Sequence, residues 1–344
     1  MKNRNFSMEV YWNKITEGWE PILKFRGRTG EDWSGWRRKA HAKLMELLGP
    51  FPERVMLKAK TEYSIEEGDL IKERVVFNSE KFMSVPCYVL KPKDMKGHRN
   101  NPAILCIHGH GAFGKEPVAG IHNSKGLISD IVNMNYNYGE QMARKGFLTI
   151  CPDLRAFGER RDGSDPFPGR DPCNVNFIKG VILGINTLTL NIWDMKCCID
   201  YLQTRPEVDK NRIGIMGLSL GGTVTAFTAA IEPRIRAADI IGYVNPWREF
   251  AIKKANFCGS QIVPEIFKYF DTDHIAGLIA PRPLLLEMGE RDTCFFIKDM
   301  LEGYRGVRRI YRAAGAADKL WVDIHPGGHA FAGNKAFEFF KRYL

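Results

Sequence analysis

The run Gly217-Leu218-Ser219-Leu220-Gly221-Gly222 constrains this chain more than any other stretch. It directly follows an apolar, strand-like segment, Arg212 to Met216, and directly precedes the small-residue run Thr223 to Ala230. A strand that turns so sharply into a helix strains the corner residue, and the residues two before and two after it must be small. Gly217 and Gly221 meet that demand. The Ser219 hydroxyl then stands above the sheet edge, with the amide N–H groups of the helix start aimed at the same place. In a chain with 33 glycines the bare pattern is common, so its meaning rests on the flanking strand and helix.

The rest of the chain supplies a fold in which such a corner makes sense. From about Ile71 onward, short β-branched runs alternate with longer amphipathic stretches. The strand candidates are Arg74 to Asn78, Val85 to Lys91, Ala103 to His108, Phe147 to Pro152, Ile213 to Gly217, Ala238 to Ile241, Leu284 to Met288 and Trp321 to His325. Helix candidates lie near Tyr138 to Lys145, Leu188 to Thr204, Leu220 to Ile231, Lys298 to Ala314 and Asn334 to Leu344. Strands and helices in alternation predict an α/β fold with a mainly parallel central sheet flanked by helices. Phe157 to Ile185 and Asn245 to His274 break the alternation and fall on the carboxyl side of the sheet, where insertions shape substrate access. Residues 1–70 differ in texture, with Trp12, Trp19, Trp33 and Trp36 set among many charges before the break Gly49-Pro50. They are expected to form a helical extension packed on a catalytic domain spanning 71–344.

A lone serine is a poor nucleophile, and this fold orders its partners as nucleophile, acid, histidine. Three histidines follow Ser219: His274, His325 and His329. His329 sits in a glycine loop after the last strand, where an imidazole can reach over the serine, whereas His325 ends the strand itself. The acid belongs in the loop after the strand Leu284 to Met288. Asp292, at the far end of Gly289-Glu290-Arg291-Asp292, suits it better than Glu290 because its shorter side chain can hold the imidazole tautomer. Two N–H donors are needed for a developing oxyanion: that of Leu220, after the serine, and that of His110 in the loop His108-Gly109-His110-Gly111. Trp247, at the carboxyl end of a strand, is either a wall of the substrate pocket or an anchor for the insertion. His108 and His110 lack a third ligand at short spacing, so no metal is expected, and the chemistry requires no cofactor.

Composition narrows the partners. The formal charge of +10 comes from 50 basic residues scattered without a run of five; Arg37-Arg38-Lys39 and Arg308-Arg309 fit exposed helix faces rather than a nucleic-acid stripe. The N-terminus carries Lys2, Arg4 and Glu9 and lacks the apolar core of a secretion signal, and no run is long enough to span a membrane. Eight cysteines, none in C-x-x-C spacing and several inside apolar strand-like runs, suit a reduced cytoplasmic setting. The expected partner is a small-molecule ester substrate, with no nucleic acid and no membrane; a homo-oligomer stays open.

Together, His108-Gly109-His110-Gly111, Asp153-x-Arg155-x-Phe157-Gly158, Gly217-x-Ser219-x-Gly221-Gly222, Ala280-Pro281-Arg282-Pro283-Leu284-Leu285, Gly289-x-x-Asp292 and Gly328-His329 resemble the dienelactone-hydrolase and acetyl xylan esterase branch of the α/β-hydrolases. The resemblance covers roughly residues 80–344 and implies a metal-free ester hydrolase acting through an acyl-enzyme, on acetylated sugars or other small esters. The chain departs from the pattern in its serine, where dienelactone hydrolases proper have cysteine, in Ala156 where glycine is usual, and in having no secretion signal. Two alternatives are a serine peptidase of the prolyl-oligopeptidase kind, against which the absence of a propeller-sized N-terminal region speaks, and a non-catalytic binding protein on the same fold.

Overall fold

In the computed structural model, which describes residues 4–95, 100–162 and 169–344, the described strands form one nine-stranded sheet. They are β1 (Lys60–Glu67), β2 (Leu70–Glu80), β3 (Met83–Pro92), β4 (Asn101–Ile107), β5 (Leu148–Pro152), β6 (Val208–Leu218), β7 (Ile235–Ile241), β8 (Leu284–Gly289) and β9 (Leu320–His325). Their spatial order is β1-β2-β3-β5-β4-β6-β7-β8-β9. The β1, β2, β3 and β5 pairings are antiparallel, and every pairing from β5 across to β9 is parallel. The inner parallel strands are largely buried, which is why they read as apolar runs rather than as alternation, whereas the edge strand β9 is only partly covered.

Helices cover both faces of the sheet. The described α-helices are α1 (Met8–Ile15), α2 (Gly30–Leu48), α3 (Lys125–Met134), α4 (Tyr138–Arg144), α5 (Pro172–Leu183), α6 (Thr187–Thr204), α7 (Leu220–Ile231), α8 (Ile266–Tyr269), α9 (Thr272–Gly277), α10 (Ile297–Ala313) and α11 (Ala336–Tyr343), of which α1 has no buried residue. Successive side chains of a strand point to opposite faces, so one strand feeds two cores. In β4, Ala103, Leu105 and Ile107 join the larger core with α2, α6, α7, α9 and α10, while Ile104 and Cys106 join the smaller one with α4 and α11. Among the described residues no single helix is long and apolar enough to cross a membrane.

The N-terminal extension is not helical throughout. After α2 the chain turns to strand at Lys60, and β1 occupies the outer edge of the sheet. All of β1 but Glu67 is exposed, although Thr61, Tyr63 and Ile65 alternate with Glu62, Ser64 and Glu66, a period-two pattern that the expectation of a helical extension passed over. Helix α2 does carry its signal: Ala40, Leu44 and Leu48 recur at intervals of four and are its fully buried positions. Ahead of it, Leu23 N–H donates to the Tyr269 carbonyl at 3.0 Å, Trp19 Nε1 to the Phe267 carbonyl at 3.0 Å, and Phe25 N–H to His274 Nε2 at 3.1 Å. The extension thus braces, from behind, the long segment that joins β7 to β8.

Ala156 adopts φ +70°, a left-handed conformation in which a glycine would be unstrained. The penalty for a Cβ there is roughly 1–2 kcal/mol, partly offset by the loss of chain freedom that a glycine suffers on folding. Ala156→Gly is therefore expected to leave thermal stability unchanged or raise it by up to ~1 kcal/mol, where an ordinary buried Ala→Gly lowers it. Thermal unfolding monitored by circular dichroism checks this; a clear drop would show that the strain is relieved some other way.

Candidate active site

Every residue singled out for chemistry belongs to a loop or turn at the carboxyl end of a parallel strand, and β6 leads into the sharpest of these turns. Ser219 sits between β6 and α7 at φ +61°, ψ −117°, a conformation that costs a side-chain-bearing residue free energy. Its backbone is pinned on both sides: its N–H donates to the Ile241 carbonyl at 2.9 Å, and its carbonyl accepts from Thr223 N–H at 2.9 Å. The glycines around it are sterically required. A Cβ on Gly221 would lie 2.0 Å from the Ile107 carbonyl oxygen, and one on Gly217 would lie 2.5 Å from the Gly221 carbonyl. Leu220 is the first residue of α7, so its N–H has no intrahelical partner.

The loop after β4 approaches the same corner. Gly109 packs so closely that a Cβ there would be 2.9 Å from the Leu218 carbonyl and 3.3 Å from Ser219 Cβ. His108, fully buried, accepts from Leu154 N–H through Nε2 at 2.9 Å and meets the Gly109 carbonyl through Nδ1 at 2.7 Å. Burial holds its pKa down, so the ring is neutral and Nδ1–H is the donor to that carbonyl. In a trans peptide the carbonyl of one residue and the N–H of the next point in opposite directions. By clamping the Gly109 carbonyl, His108 fixes the direction of the His110 N–H. The His108 ring braces the loop.

The loops after β8 and β9 bring a carboxylate to an imidazole. Asp292 is buried; its Oδ2 lies 2.7 Å from His329 Nδ1, while Oδ1 accepts from Cys294 N–H at 2.7 Å and Phe295 N–H at 2.9 Å. Three hydrogen bonds thus hold a carboxylate whose rival, Glu290, is exposed. Phe295 stacks obliquely on the imidazole, with ring centroids 5.5 Å apart. Two glycines make room: a Cβ on Gly242 would come within 3.1 Å of His329 Nδ1, and one on Gly289 within 2.2 Å of the Gly328 carbonyl. His325 is buried at the end of β9 and accepts from Gly327 N–H through Nδ1 at 3.1 Å, a turn-forming role.

Ser219, His329, His110 and Gly109 line one pocket of about 380 Å³, together with Met134, Tyr136, Leu218, Asp171, Phe257, Cys258 and Phe295 among others. Both segments that interrupt the strand–helix alternation contribute to it, the first through Asp171 and the second through residues 255–258 and Gln261. Trp247 does not line this pocket. It is 2% exposed, stacks on Phe250 at 5.2 Å and donates its backbone N–H to Asp271 at 2.7 Å. It anchors the insertion, and the aromatic surfaces of the pocket are instead Phe257, Phe295 and Tyr136. Phe295 stands three residues beyond Asp292, a proximity that could have flagged it.

Behind the His329 loop lie three buried carboxylates on adjacent strands: Asp239 of β7, Glu287 of β8 and Asp323 of β9. Glu287 is cross-strand from Asp323, and its Oε2 accepts from Ala332 N–H at 2.9 Å, tying down the chain just past His329. Burial, with the neighbouring Asp323 charge, pushes the Glu287 carboxyl up to about 8 from an ordinary 4.5. A folded-state pKa above the unfolded one contributes stability that is full below about 4.5 and lost as pH rises to about 8. Glu287→Gln keeps an acceptor for Ala332 and removes that titration. Its melting temperature should fall less than that of the wild type between pH 6 and pH 9, by the equivalent of a few kcal/mol, on the order set by such a shift. Equal slopes would show that Glu287 does not carry the proton.

A mainly parallel sheet with helices on both faces, a strained serine turn after its central strand, and a carboxylate–imidazole pair after its last two strands define a protein of the α/β-hydrolase superfamily. The Abhydrolase family matches residues 3–330, and the chain belongs to it. That match takes in the N-terminal extension as well as the sheet, more of the chain than the six motifs span. The Bacillus subtilis protein named Putative hydrolase YtaP is 27% identical over 319 residues, covering 90% of this chain and all of that one. Among solved structures, a putative acetyl xylan esterase from Bacteroides fragilis aligns with a TM-score of 0.73 at 19% identity over 93% of this chain and 82% of that one. A glucuronoyl esterase from Solibacter usitatus aligns at 0.67 and 15% identity over 91% of this chain and 93% of that one. At these identities the structural likeness is one of fold.

Proposed function

We propose that the chain is a serine carboxylic-ester hydrolase that works through an acyl-enzyme on small or acetylated esters, with Ser219 as nucleophile, His329 as general base and Asp292 as its orienting acid. The observation that carries this is the buried Asp292 paired with a half-buried His329 that opens on the pocket containing Ser219. His329 takes the Ser219 proton as the hydroxyl attacks the ester carbonyl, and the Leu220 and His110 N–H groups receive the negative charge on oxygen. His329 then returns the proton to the departing alcohol. Water, activated by the same imidazole, releases the acid.

A pocket of about 380 Å³ suits a small ester better than a polymer chain. Among its described lining residues there is no lysine or arginine, while Asp171 is present, which favours a neutral acyl group over a uronate. The reading includes a small-molecule substrate met in the cytoplasm, without nucleic acid or membrane as partner.

The test is turnover of p-nitrophenyl acetate and of acetylated sugars beside a dipeptide anilide, with labelling by a fluorophosphonate probe. Ester turnover and labelling of wild type are expected. Preferential cleavage of the anilide would make the chain a peptidase, and a folded protein that neither labels nor turns over esters would be a binding protein.

A further inference from the structure

We propose that His110, Cys173 and Cys258 form a binding site for a thiophilic divalent cation of the Zn²⁺ class at the rim of the catalytic pocket. The three groups come from the loop after β4, the first turn of α5 and the stretch just before the 3-10 turn at Gly259–Gln261. A ring nitrogen of His110 and the two sulfurs all lie within 4.8 Å of one another, and Nε2 is 3.6 Å from Cys173 Sγ. With metal–sulfur bonds of about 2.3 Å and metal–nitrogen bonds of about 2.0 Å at tetrahedral angles, the nitrogen–sulfur edge is about 3.5 Å and the sulfur–sulfur edge about 3.8 Å. The triangle therefore needs small side-chain adjustments to close on an ion. Asp171, with Oδ2 at 2.9 Å from Nε2, is the nearest oxygen for the fourth position, which a water from the pocket could otherwise fill.

The triangle is held by its surroundings. Asp171 Oδ1 accepts from Cys173 N–H at 3.2 Å, which caps α5 and fixes the cysteine. Gly259 N–H donates to Asn174 Oδ1 at 2.7 Å, and a Cβ on Gly259 would lie 2.3 Å from Phe177, so the Cys258 segment and α5 lock together at close range. The Phe157 ring meets the His110 imidazole edge-on at 5.2 Å. Both thiols are buried, at 0% and 4% exposure, while the imidazole faces the pocket and gives an ion its way in. The proposed ester chemistry uses only the His110 backbone N–H, so it leaves these three side chains without a task. Two thiols and an imidazole select zinc-like ions over magnesium or calcium, and binding releases the thiol protons to solvent.

The proposal does not depend on the hydrolase reading, and neither does its test. Reduced, chelator-treated full chain is titrated with Zn²⁺ against a chromophoric chelator, and the Co²⁺ form is examined by absorption. Wild type is expected to hold one zinc through gel filtration and to give thiolate-to-cobalt charge-transfer bands with the strong visible bands of a tetrahedral ion. The double variant Cys173→Ser/Cys258→Ser should lose those bands and bind zinc about 100-fold more weakly or worse. The groups Asp292, Cys294 and His329 also cluster tightly enough to attract an ion. Cys294→Ser therefore serves as the control and should keep both the affinity and the bands, as should Ser219→Ala. Failure of reduced wild type to take up zinc, or bands that survive in the double variant and vanish in Cys294→Ser, would overturn the proposal. Should the double variant not fold, the cobalt spectra of wild type and Cys294→Ser decide: bands that persist in Cys294→Ser support the site, and their absence from wild type or loss in Cys294→Ser overturns it.

Discussion

Ser219→Ala is expected to lower kcat for p-nitrophenyl acetate by about a million-fold and to end fluorophosphonate labelling. Without the hydroxyl the acyl-enzyme cannot form, and the imidazole has no proton to take. Adding His329→Ala should cost little more, because the two groups act as one unit and the first loss already removes it. What activity remains should still exceed that of water by about 10³ to 10⁴, since the Leu220 and His110 N–H donors and the pocket stay in place. The same position supplies a second readout through its φ of +61°. Ser219→Gly should be inactive yet more stable than wild type by about 1 kcal/mol, because glycine adopts that conformation without penalty. Folded Ser219→Ala that kept even a hundredth of wild-type turnover would take Ser219 out of the reaction.

How much of this was legible depended on whether a residue's role is decided by its neighbours in the chain or by distant ones. The serine turn, the Asp292 loop and the His329 loop could be read because each follows directly on a strand of the parallel sheet and carries its own glycines. Trp247 could not: a large aromatic after a strand end must bury itself, and nothing local says whether against substrate or against Phe250. Strand β1 carries a readable alternation, Thr61, Tyr63 and Ile65 against Glu62, Ser64 and Glu66, but the tryptophans and helix α2 ahead of it drew the whole extension into a helical reading. The buried acids Asp239, Glu287 and Asp323 look like single polar residues in three apolar strands, and become one cluster only when the strands pair in register. His110 was set aside as a metal ligand for want of a close partner in sequence, and the fold brings it two thiols from α5 and the β7–β8 segment. Spacing reveals ligands on one element. It is silent about those that meet across three.

Asp292→Asn should be severely damaging, although it changes a single atom. Oδ1 of Asp292 accepts from the N–H groups of Cys294 and Phe295, two backbone donors that demand an oxygen in that position. An asparagine must satisfy them with its own carbonyl oxygen, because turning the amide would set an NH₂ against two N–H groups in a buried site. Its NH₂ is then forced toward His329 Nδ1, 2.7 Å from where Oδ2 stood, and donates to it. An imidazole that accepts at Nδ1 carries its proton on Nε2 and has no lone pair to offer Ser219. The loss in kcat should be about 10⁴-fold, with folding intact because every backbone partner is kept. Raising the pH should recover part of the activity if hydroxide takes over the role of the base. Asp292→Ala sharpens the comparison: it leaves the two N–H groups unpaired and should lose stability as well, by about 1–3 kcal/mol. An asparagine variant that retained a tenth or more of wild-type turnover would mean that Asp292 does not set the tautomer, and exposed Glu290 would then be the acid to test.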